Sequence, residues 1–505
     1  MVFKNSSAAL FELIQSLNSS EKRYFTTYAS HYTNSKKNNS RQLFNAIAGQ
    51  QEYHKNSIIQ NSPLVTEGQF RNQKKYLYEL VLRSLAEYHG NSTVQFKLKK
   101  ALMQIKILEN KNLIRPAYTL LKQSLHLAWK YEYYTTIIEL LHEEMFFLEK
   151  YASLERPENW IEKIVELTKL AVDKQNVFQL CLTCRAKIFR ENQKQGSLNS
   201  DKEFYKNIDA LMSKDIPDPS NINHSFHSLS QLYVAKGTIE LVRGNFERSH
   251  SYFLKQVQLY DDNQHQIHEN QPKYFSVISN LSISQYSFGK YSEVIDSLRK
   301  IKEVKILTEE LRRNIIYFVT NMELATYYQL GEVQKVKATM KQAENLILIS
   351  GDHTNKISHV ILLRFNLACI NLLDGNYSAS SRQLNNLIMN DNPEVRNDLQ
   401  RAARLLYLIC HYEKDGAENL NRILILTQKY FDEQDALFEI EKTILLFFND
   451  LILIRKKSEK QNLFLKLQRS IFKILKETNA ERNVQAIDVF QEWIKTKLIK
   501  YGVNQ

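Results

Sequence analysis

Apolar residues recur at the three- and four-residue spacing of an amphipathic helix through most of the chain. Short polar segments, not alternating strand patterns, separate these runs. The stretch "SFGKYSEVIDSLRKI" (287–301) shows the arrangement: one helical pattern stops at Gly289 and another resumes at Tyr291. Glycines stand in the same relation to their flanking patterns at 244, 289, 331, 375 and 416, at successive intervals of 45, 42, 44 and 41 residues. A period of this length marks stacked helix pairs, each burying its apolar face against the next. Counting outward places further turns at "NKNLIRP" (110–116), "SLERPEN" (153–159), "GSLNSD" (196–201) and "RKKSEK" (455–460). That predicts about nine helix–turn–helix units between roughly 94 and 476.

A helix that must stop sharply favours glycine, which enters the left-handed conformation without a Cβ clash. Two residues later an aromatic (Phe246, Tyr291, Tyr377) would seal the seam between the paired helices; Val333 and Glu418 hold that place in the other two units. Nine residues after the glycine come Phe253, Leu298, Met340 and Leu384, which face back onto the first helix at helical spacing.

These units resemble tetratricopeptide repeats. That family has a small residue seven positions before the glycine, met here by Gly237, Ser282 and Ala368, with Leu324 and Ile409 in the other two units. Its aromatic four residues earlier is met by Tyr233 only. The small residue five after the glycine is Ser249 and Ser380, against Val294, Val336 and Asn421 elsewhere; the terminal proline is echoed at Pro393. The repeat is longer than the family's usual one, so longer helices are expected. The resemblance covers residues 225–430 best and implies an all-α fold: an α-α superhelix, or solenoid. It also implies a concave groove lined by first helices, where a protein or peptide partner lies. Carried onto this chain, the candidate groove positions are Gln231, Ser279, Tyr286, Asn321, Tyr328 and Phe365; the aromatics among them serve equally well as core between repeats.

Residues 1–92 fall outside the period and read as a helical module, with helices near 7–32, 40–55 and 67–89. In "LNSSEKRYF" Ser19 or Ser20 is placed to cap a helix with Glu21 in its first turn. The expected organisation is therefore an N-terminal helical module (1–92), divergent repeats (93–224), tetratricopeptide-like repeats (225–476) and a C-terminal capping helix (477–505). The last of these, "AERNVQAIDVFQEWIKTKLIKYG", would cover the apolar face that a final repeat otherwise leaves in water. "SKDIPDPSNIN" (213–223) and "DDNQHQIHENQP" (261–272) are expected as hinges or long loops.

Composition agrees with helices joined by tight turns: 505 residues hold only 12 Gly and 7 Pro. With 43% hydrophobic and 24% charged residues the chain is not a disordered polymer. Four cysteines do not make an extracellular disulfide framework, and no segment reads as a signal peptide. The most apolar run, "TILLFFNDLILI" (443–454), is too short to span a bilayer and carries Asn449 and Asp450. The expectation is a soluble cytoplasmic protein with no membrane insertion. The net charge of +13 is concentrated at the ends. Residues 1–100 carry 14 Lys/Arg against 6 Asp/Glu, and residues 451–505 carry 12 against 5, which favours an anionic partner there.

Little in the chain suggests catalysis. "CLTC" (Cys181, Cys184) has metal-ligand spacing but no second pair, and it lies on a helical pattern where small apolar side chains pack. His265 and His268 in "HQIH", near Asp261 and Asp262, have ligand chemistry but sit in a polar segment expected to be solvated. No glycine-rich phosphate loop, nucleophile elbow or H-E-x-x-H motif occurs. The chain is therefore read as non-enzymatic, with no cofactor and no metal. Two basic stripes remain. Arg71, Lys74 and Lys75 share a helical face, as do Lys466, Arg469, Lys473 and Lys476, and solvated faces explain both. The function expected is a protein- or peptide-binding scaffold or adaptor. The alternative is a nucleic-acid-binding regulator with a basic N-terminal module and a peptide-sensing array.

Overall fold

The computed structural model describes residues 6–31, 39–62, 67–194, 206, 210, 225–305, 308–350, 357–389, 397–415, 417–433, 437–478, 481 and 484–502. Among them there are helices and turns and no strand. The chain divides into two compact units, residues 1–173 and 174–505. The division falls inside a 35-residue helix, Trp160–Lys194 (α9), whose sequence contains neither glycine nor proline to break it.

In the first unit, α1 (Ser6–Ser16), α2 (Ser19–His31), α3 (Asn39–Ala48), α4 (Lys55–Gln60) and α5 (Glu67–His89) enclose their own core. Leu10, Phe25, Phe44, Ile47, Phe70 and Leu80 are among its buried members. The sequence pattern over 7–32 is one helix, but the structure breaks it at Leu17–Asn18. Asn18, not Ser19 or Ser20, is the cap: its Oδ1 accepts from the Glu21 amide (2.9 Å), and the Glu21 carboxylate accepts from the Asn18 amide (2.8 Å).

Three 17-residue helices follow, α6 (Val94–Asn110), α7 (Ile114–Lys130) and α8 (Tyr134–Lys150). They pack around Leu98, Leu121, Leu125, Ile137, Leu140 and Phe147. Their turns use no glycine. Asn112 (φ 60°) and Glu132 (φ 58°) occupy the left-handed region instead. In each case the turn residue's amide and the next one bond back to the helix, as Asn112 to Glu109 O and Leu113 to Leu108 O (2.8 and 2.9 Å). This is the Schellman ending, which satisfies carbonyls the helix would otherwise leave free.

The second unit continues from α9 with the pairs α10 (Phe226–Val242) and α11 (Phe246–Asp261), α13 (Gln271–Ser287) and α14 (Tyr291–Lys302), and α15 (Glu309–Gln329) and α16 (Val333–Ser350). Next come α17 (Ile357–Leu373) and α18 (Tyr377–Met389), α19 (Asn397–Asp415) and α20 (Ala417–Asp432), and α21 (Glu439–Leu453) and α22 (Lys457–Glu477). A short helix, α12 (Gln264–Glu269), occupies half of the polar segment 261–272, because Gln266 and Ile267 turn inward and bury. The last helix, α23 (Ile487–Lys500), is shorter than the terminal pattern; Ala486 turns left-handed before it (φ 61°).

The glycine period is observed as geometry. Gly244, Gly289, Gly331 and Gly375 have φ of 72°, 80°, 69° and 76°, and each closes a Schellman ending. At Gly289 the bonds run from its amide to Tyr286 O (3.0 Å) and from Lys290 N to Gln285 O (2.9 Å). The turns expected at 110–116, 153–159 and 455–460 are found at 111–113, 151–159 and 454–456; helices already begin inside the first and last of these segments, at Ile114 and Lys457. Gly416, Pro393 and the segments 196–201 and 213–223 lie outside the described residues.

The small residues flanking the glycine mark close helix crossings. Ser249 Oγ donates to Gly237 O (2.9 Å), and at the same repeat positions Ser380 Oγ donates to Ala368 O (2.8 Å). Gly237 packs against the ring of buried Phe253. Where Leu324 and Val336 take these places the crossing is an apolar contact in the core. Periodic left-handed turns, close crossings and continuous cores between neighbours make the array a TPR-like solenoid.

Candidate peptide-binding surface on the first helices

The first helices of successive pairs, α10, α13, α15, α17, α19 and α21, contribute the stripe on which groove residues were expected. The structure places Gln231, Ser279, Asn321 and Phe365 in the interior. Phe365 belongs to the largest apolar core. Ser279 Oγ donates to Phe275 O of its own helix (2.8 Å). Asn321 donates to Tyr317 O (2.9 Å) and accepts from Asn366 Nδ2 (3.1 Å), so it ties α15 to α17. Asn321 and Phe365 hold neighbouring repeats together, and Gln231 and Ser279 are simply buried, so a helical stripe alone could not separate groove from core. Tyr286 and Tyr328 are half-buried and do reach the surface.

Both tyrosines lie beside α23, which touches the C-terminal ends of first helices as it crosses them. Gln329 Nε2, at the end of α15, donates to Asp488 (3.3 Å). Trp493 Nε1 donates to Glu413 near the end of α19 (2.7 Å), and Lys497 Nζ donates to the same carboxylate (2.6 Å). The Trp493 ring packs among Phe447 and Phe448 of α21 and Phe464 of α22, with centroids 5.2–6.1 Å away. Helix α23 packs on the last pair, as a cap does, and it also lies across the first-helix surface.

Where α23 begins, a cleft of about 450 Å³ stays open between it, α15, α16 and the Gly375 turn. Tyr328, Val336, Met340 and Leu373 form its apolar wall, and Asp374, Asp488 and Glu492 its acidic rim, with Lys337 on the α16 side. Burial, then the Asp374, Glu492 and Asp488 carboxylates, push the Tyr328 phenol up to about 12. Loss of hydration raises the Asp488 carboxyl above its ordinary value, opposed by backbone amides at the start of α23.

The other candidate residues separate. Lys74 is buried, its ammonium 4.7 Å from the Phe70 ring centre, while Arg71 and Lys75 face solvent. The three therefore form no continuous exposed patch. Lys466, Arg469, Lys473 and Lys476 are all exposed along α22, with Lys473 3.9 Å from Glu477. Cys181 and Cys184 are buried in α9, where burial pushes the Cys181 thiol up to about 11. Among the described residues no group of three His, Cys, Asp or Glu side chains gathers as a metal site, and no helix is long and apolar enough to cross a membrane.

Sequence comparison finds no matching protein family and no matching curated protein. Structure comparison finds the P58(IPK) TPR domain, at 12% identity over 80% of this chain and 97% of that one, with a TM-score of 0.21. It also finds yeast Tom70, at 12% identity over 86% of this chain and 93% of that one, with a TM-score of 0.27. The repeat assignment rests on the turns and crossings above, not on these superpositions.

Proposed function

We propose that this chain is a non-catalytic helical-repeat scaffold whose first-helix surface, between residues 226 and 477, binds a protein or peptide. The observation that carries this reading is α23. An amphipathic helix already lies on that surface, anchored by Asp488 to Gln329 of α15 and by Trp493 and Lys497 to Glu413 of α19. A surface that orders one helix in this way has the anchors that helix-in-groove recognition uses. The free thiols of all four cysteines fit a reducing cytoplasm. The regulator reading loses its main patch, because Lys74 is turned inward.

Affinity capture from the native cell at low and high salt, with bound protein and nucleic acid both identified, tests the proposal. A protein partner retained at high salt and weakened by Tyr328→Ala is expected; one aromatic anchor contributes about 2 kcal/mol to such contacts. Recovery of nucleic acid alone, lost as salt rises, would replace the scaffold with the regulator.

A further inference from the structure

The open cleft beside α23 has a chemistry of its own. Its wall of Tyr328, Val336, Met340 and Leu373 suits an aliphatic chain, and its rim is acidic. Glu492 is paired with Lys495, but Asp374 and Asp488 have no cationic partner among the described residues. Lys337 alone does not balance the rim.

The same surface shows what such a site takes. At the end of α19 the Lys497 ammonium sits on the Glu413 carboxylate, with its cation 5.2 Å from the Tyr412 ring centre. A lysine delivered by a helix is thus already held by a carboxylate and a tyrosine at a first-helix terminus. At the end of α15 and α17 the carboxylates and the tyrosine are present, and α23 delivers no lysine to them.

We propose that the cleft between α15, α16, the Gly375 turn and the start of α23 receives a lysine or arginine side chain of a bound basic peptide. The side chain's methylenes lie on the Tyr328–Met340 wall and its cation meets Asp374 and Asp488. This rests on the peptide-binding reading above and names the chemical class of its partner. It also places recognition of the basic residue at the N-terminal end of α23, outside the Trp493 cluster that holds that helix in place.

The test selects random dodecapeptides displayed on phage against the full chain and against the Asp374→Asn/Asp488→Asn variant. Enrichment of Lys- or Arg-containing peptides on the parent, absent on the variant, is expected. A fluorescein-labelled selected peptide should then bind the variant roughly tenfold or more weakly by anisotropy, and its norleucine analogue should lose as much on the parent. Asp374→Asn alone, in an exposed turn, gives the same reading if the double variant loses helicity. Enriched peptides without basic residues, or equal affinity of the norleucine analogue, overturn the cleft assignment and leave the peptide-binding surface standing. No enrichment of any peptide overturns both.

Discussion

Gly237→Ala sets helix propensity directly against packing. In a helix interior alanine is better than glycine by about 1 kcal/mol. Gly237 lies within α10, so propensity alone predicts a more stable array. The added Cβ, however, would stand 2.8, 2.9 and 3.0 Å from three ring carbons of Phe253. Carbon atoms pack best at about 3.5–4.0 Å, so the ring must withdraw by roughly 0.7 Å. Phe253 is 2% exposed and enclosed with Phe226, Val257 and Tyr260, so the ring can withdraw only by displacing its neighbours. Overpacking of this kind costs about 1–3 kcal/mol. The expected net effect is destabilisation of the α10–α11 pair by about 1 kcal/mol. A long repeat array is not a two-state unit, so the readout must be local. Amide hydrogen exchange of peptides from 226–261 should accelerate about fivefold, which is what 1 kcal/mol amounts to. Phe253→Leu removes the obstruction, and in that background Gly237→Ala should be neutral or stabilising, a coupling of about 1–2 kcal/mol. Slower exchange in the single variant would mean that the ring contact does not set the helix separation.

Other outcomes are expected elsewhere. Gly289→Ala meets no atom within 4 Å, so only its φ of +80° is strained. A loss of about 0.5–1 kcal/mol is expected for the 271–302 pair, and Glu132→Gly should gain a similar amount for α7–α8; unchanged hydrogen exchange in both would remove the left-handed turns from the explanation. Trp493→Ala should release α23, at a cost of about 3–5 kcal/mol, and expose Lys495 and Lys497 to trypsin; unchanged protection would show that the aromatic cluster does not hold the helix. His250 is buried, and burial, then Lys290, depress its pKa against the pull of Glu293. The folded state therefore takes up a proton only at lower pH than the unfolded chain, which does so at about pH 6.5. Its share of stability is intact above that pH and falls as pH drops below it. The melting temperature of His250→Gln should decline less steeply between pH 7 and pH 5 than that of the parent, and equal slopes would refute the assignment.

The sequence by itself determined the helix pairs and their turns. A period-3.6 apolar stripe needs a partner stripe, and a helix that reverses within three residues needs a left-handed residue at its end; both are local demands written in local residues. Gly244, Gly289, Gly331 and Gly375 were legible for that reason, as were the close crossings at Gly237/Ser249 and Ala368/Ser380. The left-handed conformations of Asn112 and Glu132 were not, because asparagine and glutamate occur in many other conformations and carry no glycine-like mark; the bonds that close these turns are backbone bonds to the preceding helix. The burial of Asn321, Phe365 and Lys74 was equally hidden. A first helix in a solenoid has contacts with its own partner, with its neighbours and with solvent, and helical spacing cannot rank these faces. Only the tertiary structure decided that α23 lies across the first helices, with Trp493 among Phe447, Phe448 and Phe464 and with Glu413 shared between Trp493 and Lys497. Those contacts join residues more than 20 positions apart in the chain, and up to 84 for Lys497 and Glu413. The cleft beside Tyr328 exists because that helix begins where it does.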